Sequence, residues 1–323
     1  MPLRDLTAIL FALAASVLPQ APARAAYPDH LVKIVVPFAP GGGTDVVART
    51  LAQEMQRDLG VTVIVENKPG AGTIIGTQSV ATSPPDGYTL LMATFANAVN
   101  PSLYRKLPYD PHKDFAPVAL LARSFNVVVV NPSSPIRSIA DLIAAAKADP
   151  EKLSYGTYGT GTSAHLAGEL FKHMAGVNLT TVPYKGAAPA ITDLIGGQIQ
   201  VMFTTVASCA SLVEAGQLRA IGVTSAERSP SFPLLPTVSE AGVPGYAAES
   251  WYGLYAPANT PPEIIDRLNK SAARAVQAEA FKKLSVNEGL VMVASPPAEL
   301  DRYFAGEEAR WRKVIEDAGI KAE

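Results

Sequence analysis

The chain has 323 residues, 48% of them hydrophobic and 17% charged, with a formal net charge of −2. That length carries two lobes of ordinary domain size, each with its own core, and the near-neutral charge, with no basic run or aromatic-interleaved basic stripe, excludes nucleic acid as a partner. A single cysteine, Cys209, rules out an internal disulfide framework, and His30, His112, His165 and His173 show no metal-ligand pairing, so neither a metal nor a cofactor is expected.

The N-terminus reads as a leader over residues 1–25. Leu6 to Leu18 is an apolar run of signal-peptide length, too short for a membrane span. Arg4 precedes it, and Ala23-Arg24-Ala25 supplies small residues for cleavage before Ala26. Export to the periplasm is the expectation; a buried N-terminal helix is the alternative.

Leu31 to Val36 is short, β-branched and apolar, which predicts a buried strand. A glycine loop follows, Pro37-Phe38-Ala39-Pro40-Gly41-Gly42-Gly43-Thr44-Asp45. Val47, Leu51 and Met55 then recur at i, i+4, i+8, the spacing of one helix face. A strand, a glycine turn and a helix start bring unpaired backbone N–H groups and the positive end of the helix dipole to one point. Such a point suits a carboxylate as well as a phosphate.

Val61 to Glu66 predicts a strand, Asn67 to Thr73 a turn, and Ile74 to Ala81 a helix. The spacing Gly70-x-Gly72-x-x-x-Gly76 is one residue too long for a dinucleotide fingerprint and follows the second strand, which argues against nucleotide binding. Thr89 to Ala93 predicts a strand that ends at Thr94-Phe95-Ala96-Asn97, read as a polar loop at the sheet edge where open α/β sheets take ligands. Val118 to Ala122 and Asn126 to Val130 predict two strands, the second crossing between lobes.

From Ser138 an amphipathic helix leads to Lys152-Leu153-Ser154-Tyr155 and a second glycine loop, Gly156-Thr157-Tyr158-Gly159-Thr160-Gly161-Thr162-Ser163. A helix from Ala164 to Met174 follows. Each loop alone reads equally well as an ordinary βα turn; the pair suggests two jaws on a shared cleft. Leu179 to Val182, Ile199 to Phe203 and Leu218 to Thr224 predict strands, with a helix from Pro189 to Gly196. Ala248 to Pro257 predicts the return crossing. A helix to Ala278, a strand at Val291 to Ala294 and a helix from Pro297 to Ala318 close the chain. The expected lobes are residues 26–125 plus 250–323, and 126–249.

The sequence resembles the extracytoplasmic solute receptors of tripartite tricarboxylate transporters, the Bug family. The stretches that carry the resemblance are Pro37 to Gly42 with Asp45 and Arg49, Glu66 to Gly72, Asn100-Pro101-Ser102-Leu103-Tyr104, Gly156 to His165, Val182 to Gly186, and Glu249 to Gly253. The resemblance implies an α/β, type II periplasmic-binding-protein fold of two lobes joined by crossing strands, with no enzymatic activity. It implies a small carboxylate ligand, held largely by backbone N–H groups and small hydroxyls, and delivery to membrane permease subunits by a monomeric receptor. Carried over by motif, the jaw residues are Phe38, Ala39, Gly41 and Gly42, with Thr157, Gly159, Thr160, Thr162, Ser163 and His165. Thr73, Thr94, Phe95, Tyr184, Lys185, Thr204 and Thr205 complete the expected site. Lys185 reads as a ligand partner or a solvated side chain, His165 as a partner of the ligand or of the loop, and Tyr184 and Trp251 as ring platforms or core. Two positions depart from the family pattern at the expected cleft rim: Thr204-Thr205 stand where an Asp-Asn pair is frequent, and Asn97 where a His is frequent.

Two other readings compete. A secreted hydrolase using Ser163 and His165 is disfavoured, because the two are neighbours at a helix start and no G-x-S-x-G elbow is present. The same receptor serving a sensory membrane partner remains a reading that the sequence does not separate from transport.

Overall fold

The computed structural model describes residues 27–150, 152–184, 186–229 and 231–320. The expected leader, its cleavage point and Lys185 lie outside them.

The elements in chain order are β1 (Val32–Val36), α1 (Gly43–Leu59), β2 (Val63–Asn67), α2 (Ile74–Ala81), β3 (Thr89–Thr94), α3 (Phe95–Leu103) and β4 (Phe115–Val130). Next come α4 (Ile139–Ala148), β5 (Ser154–Thr157), α5 (Ser163–Ala175), β6 (Thr180–Pro183), α6 (Ala187–Ile195), β7 (Val201–Thr205), α7 (Val206–Glu214) and β8 (Arg219–Val223). The chain closes with β9 (Glu249–Pro257), α8 (Pro262–Gln277), α9 (Glu279–Glu288), β10 (Val291–Met292) and α10 (Pro297–Asp317).

The strands run in the order β2-β1-β3-β9-β4-β7-β5-β6, with β8 and β10 also on β4. β4 makes the fold two-lobed. Its first part, Phe115 to Phe125, pairs antiparallel with β9. Its last part, Asn126 to Val130, pairs instead with β7 and β8. β9 begins at Glu249, opposite Phe125, so outgoing and returning strands enter the second lobe side by side. The sequence divided β4 in two because Arg123-Ser124 interrupts its apolar run. The strand is continuous because β9 pairs straight through that interruption.

The central strands of the first lobe, β1, β3 and β9, bury both faces. In β1, Val32, Ile34 and Val36 face one core, with Val47, Leu51 and Met55 of α1 and Leu268 of α8. Val35 faces the other, with Phe95, Trp251 and Trp311. That alternation is the period of a strand sandwiched between helix layers. A third core fills the second lobe around Val127, Val129, Leu194, Met202 and Val206. Cys209 is buried in it, and burial pushes its thiol up to about 12, so it packs and is not reactive. Trp251 is fully buried against Tyr303 and Phe304, which settles it as core.

Three helices escaped the sequence reading. Residues 95–103 form α3, although Pro101 lies inside it. Its start is fixed by Asn97, whose Oδ1 accepts the Thr94 N–H at 2.9 Å. The small residues of α7 and the charged stretch of α9 carry little apolar periodicity; the two helices pack on each other, α7 also on β4 and β7, and α9 also on α1 and α8.

Candidate functional site

The first jaw is the connection from β1 to α1. Gly41 has φ +88°, a left-handed conformation that favours glycine. Gly42 is the N-cap of α1 in ordinary extended backbone, φ −86° and ψ 168°. A β-carbon at Gly41 or Gly42 would meet nothing within 4 Å. Both glycines and Ala39 are exposed, and Phe38 leans on the first-lobe core.

Asp45 organises this loop from inside. Its buried carboxylate accepts from the Gly41 N–H at 3.0 Å, Arg49 Nε at 2.9 Å and Asn67 Nδ2 at 2.9 Å. The Asn67 amide also donates to Phe38 O at 3.1 Å. Burial alone raises the carboxyl's pKa, but the bonds from Arg49, Gly41 and Asn67 outweigh it and hold it below the usual range. The Gly41 N–H is therefore engaged within the loop. Gly43 and Thr44 are the first two residues of α1, and their N–H groups have no acceptor among the described residues. They are the donors this jaw offers.

The second jaw is the connection from β5 to α5, and it follows the same logic. Gly159 and Gly161 have φ of +132° and +77°. Thr162 caps α5: its Oγ1 accepts the His165 N–H at 3.4 Å and donates to Gly159 O at 2.7 Å. Its one proton is thus committed to the loop. Thr157 is buried and its Oγ1 accepts from Gly159 N–H at 3.3 Å. His165 Nδ1 accepts the Gly161 N–H at 3.3 Å, so this histidine shapes the loop. Among the described residues the N–H groups of Ser163 and Ala164 have no acceptor, and the Thr160 hydroxyl has no partner. Two helix N-termini, one from each lobe, each offer a pair of backbone donors.

The lobes meet at Gly161. A β-carbon there would lie 3.1 Å from Leu103 Cδ1 and 3.7 Å from Asn100 Oδ1, both on α3 of the first lobe. Asn100 in turn donates to Gly72 O at 2.8 Å and Thr73 Oγ1 at 3.1 Å. Ala71, Gly72 and Thr73 all have positive φ, and Thr73 at +81° is a strained conformation for a β-branched residue. The first lobe thus holds a shaped turn behind α3, where the second jaw rests.

Several expectations change. Phe95 is a correction: its ring is 2% exposed and sits edge-to-face on Trp311 at 4.8 Å, so it faces the core. Asn97 is not at a rim; it is buried and its Nδ2 donates to Thr77 Oγ1 at 2.9 Å. The Tyr184 hydroxyl donates to Asp193 Oδ2 at 2.6 Å, which occupies it. Thr94 and Thr204 are buried with unpartnered hydroxyl oxygens, and the Thr205 hydroxyl bonds to that of Ser208 at 3.0 Å.

Sequence reasoning missed Asn126, Tyr158 and Thr224. Ser163 Oγ donates to Asn126 Oδ1 at 3.4 Å, and the Tyr158 hydroxyl lies 3.5 Å from the same oxygen and 3.3 Å from Ser163 Oγ. Burial is the main cause that pushes the Tyr158 phenol up to about 12, so it stays protonated. Thr224 joins the two crossing strands: its Oγ1 accepts from Asn126 N–H at 2.8 Å and donates to Ala248 O at 2.7 Å. Asn126 lies in an apolar strand, far from Tyr158 and Ser163 in sequence, so no local pattern marks it.

A two-lobed α/β sheet with paired crossing strands and a glycine-led helix N-terminus in each lobe is the architecture of a periplasmic-binding-protein type of solute receptor. The profile described as tripartite tricarboxylate transporter family receptor matches residues 47–320, and the chain belongs to that family. Among solved structures it is similar to Rpa4515 of R. palustris with adipate, at 38% identity and a TM-score of 0.86, covering 92% of this chain and 100% of that one. It is similar to the periplasmic binding protein BugD, at 36% identity and a TM-score of 0.85 over 92% and 100% of the two chains. It is also similar to MatC of Rhodopseudomonas palustris with bound malate, at 31% identity and a TM-score of 0.83 over 90% and 100%. BugD is a periplasmic binding protein, and the other two structures hold the small carboxylates adipate and malate.

Proposed function

We propose that this protein is a periplasmic receptor that captures a small carboxylate between its two lobes and delivers it to a tripartite tricarboxylate-type membrane transporter. The observation that carries the reading is the pair of helix N-termini, each with two unengaged backbone donors, and in the first jaw glycines that leave room above them. Oriented N–H groups and helix dipoles hold a carboxylate without a cationic side chain. A carboxylate has two oxygens, and each jaw offers two donors. Relatives with adipate and malate fit a dicarboxylate that places one carboxylate on each jaw. The proposed contacts are the N–H groups of Gly43 and Thr44 beside Ala39 and Gly42, the N–H groups of Ser163 and Ala164, and the Thr160 hydroxyl, with Thr94 and Thr204 near the strand ends. The proposed lobes are residues 26–125 plus 250–323, and 126–249, hinged where β4 and β9 cross, in a receptor that acts as a monomer after removal of its leader near Ala25.

A thermal-shift screen of the mature chain over aliphatic di- and tricarboxylates, acidic amino acids and aromatic carboxylates tests the reading. A true ligand at a hundred times its dissociation constant adds about 2.7 kcal/mol of stability. A screen in which no carboxylate raises the melting temperature contradicts it.

A further inference from the structure

Asn126 is fully buried at the point where β4 enters the second lobe, opposite Thr205 in the ladder to β7. Its backbone is fixed on both sides by Thr224: Asn126 N–H donates to Thr224 Oγ1, and Asn126 O accepts the Thr224 N–H at 2.9 Å. The side-chain carbonyl faces the second jaw, where Ser163 and Tyr158 approach it. The other end of the amide, Nδ2, is buried and has no acceptor among the described residues.

A buried amide N–H2 without a partner is costly, and a buried polar group left bare in a folded protein calls for a reason. The strand supplies none here: side chains alternate along β4, so Asn126 shares its face with Ser124 and Val128, and Val128 lies in the apolar core while Nδ2 meets no acceptor among the described residues. Either orientation of the amide leaves one end bare, since only one end meets the two hydroxyls. What decides the orientation is the group that arrives. An anion accepts from N–H2 and fixes Oδ1 toward Ser163 and Tyr158, which both carry a proton to donate. Ser163 is also the first residue of α5, whose own N–H and that of Ala164 are unengaged, so the bare amide end and these backbone donors belong to one locality.

We infer that Asn126 Nδ2 is a side-chain donor to the ligand carboxylate held by the second jaw, and that Ser163 and Tyr158 are positioning residues that aim it. The inference rests on the receptor reading and refines its specificity. The ligand group at this jaw is an acceptor without a proton, a carboxylate, and an ammonium or apolar group in its place leaves Asn126 unpaired. Asn126 also lies where the crossing strands enter the second lobe, so a ligand bonded to it touches the hinge region directly.

The test is calorimetric titration with adipate, or with the strongest binder from the screen above. Asn126→Asp keeps an oxygen for Ser163 and Tyr158 and replaces the donor with an anionic oxygen. The expected result is a loss of roughly a hundredfold or more in affinity, with the ligand-free protein folded but melting below wild type, because the new carboxylate is buried without a cation. Ser163→Ala should lose less, because it removes an aiming contact and no ligand bond. Affinity of folded Asn126→Asp within about threefold of wild type overturns the inference and leaves the receptor reading standing. A wild-type protein that binds no carboxylate overturns both. Should Asn126→Asp fail to fold, wild type with nitrogen-15 in its asparagine side chains decides. One buried N–H2 pair should shift at saturation, and an unchanged set of asparagine side-chain signals overturns the inference.

Discussion

Gly42→Val separates folding from binding at the first jaw. The backbone at Gly42 is extended, φ −86° and ψ 168°, which valine adopts without strain. Its β-carbon would meet nothing within 4 Å. Replacing glycine at a compatible position stabilises by about 0.4–1 kcal/mol through the unfolded chain. Loss of a good N-cap residue costs about as much in the other direction. The net change in stability should stay within about 1 kcal/mol, a few degrees in melting temperature. Binding is a different matter, because the valine methyls would stand over the Gly43 and Thr44 donors. Two charge-assisted hydrogen bonds at about 1.5–3 kcal/mol each give a loss above a hundredfold. Gly41→Val is the contrast: its φ of +88° imposes about 1–3 kcal/mol of strain on any side chain, so it should lower the melting temperature as well. Melting curves and calorimetric titrations on the same preparations give both numbers. Folded Gly42→Val with affinity within about threefold of wild type would refute the approach of the ligand to this backbone, and a large fall in its melting temperature would refute the open space above Gly42.

Other perturbations follow from the same contacts. Asp45 has its folded pKa lowered, so its bonds stabilise the protein above the unfolded carboxyl pKa and are lost as pH falls through the folded one. Asp45→Asn should therefore melt below wild type near neutral pH, with the gap closing on acidification below about pH 4; a gap independent of pH contradicts the charge-assisted role. Thr224→Val removes the hydroxyl shared by Asn126 N–H and Ala248 O and should cost about 1–3 kcal/mol, read from denaturant midpoints at unchanged slope. Thr160→Val removes a hydroxyl of the second jaw that has no partner among the described residues, and titration should show a loss of roughly ten- to a hundredfold in affinity.

The glycine jaws were legible because their chemistry is local. A β-branched run, a glycine cluster and an i, i+4, i+8 helix face are read from neighbouring residues, and both loops fall where they were expected. The crossing strand β4 was half legible: its apolar ends spoke for strands, while Arg123-Ser124 hid their continuity until β9 was in place beside them. α3 was read as a loop because Pro101 masked it, and its capping partner Asn97 was consequently taken for a rim residue. Roles that depend on tertiary pairing could not be read at all. Thr162 looks like a ligand contact in sequence and His165 like a ligand or a loop partner, and only the fold commits the Thr162 proton and the His165 Nδ1 lone pair to the loop itself. Asn126 is the reverse case, an unremarked residue that the fold brings against Ser163 and Tyr158.

The most direct measurement is a crystal structure of the mature protein grown with the carboxylate that binds it most tightly. The account expects one ligand carboxylate with its oxygens 2.7–3.1 Å from the N–H groups of Gly43 and Thr44, and a second carboxylate on Ser163, Ala164 and Asn126 Nδ2. Density for the carboxylates on cationic side chains away from both jaws, with the two helix N-termini facing only solvent, would contradict it.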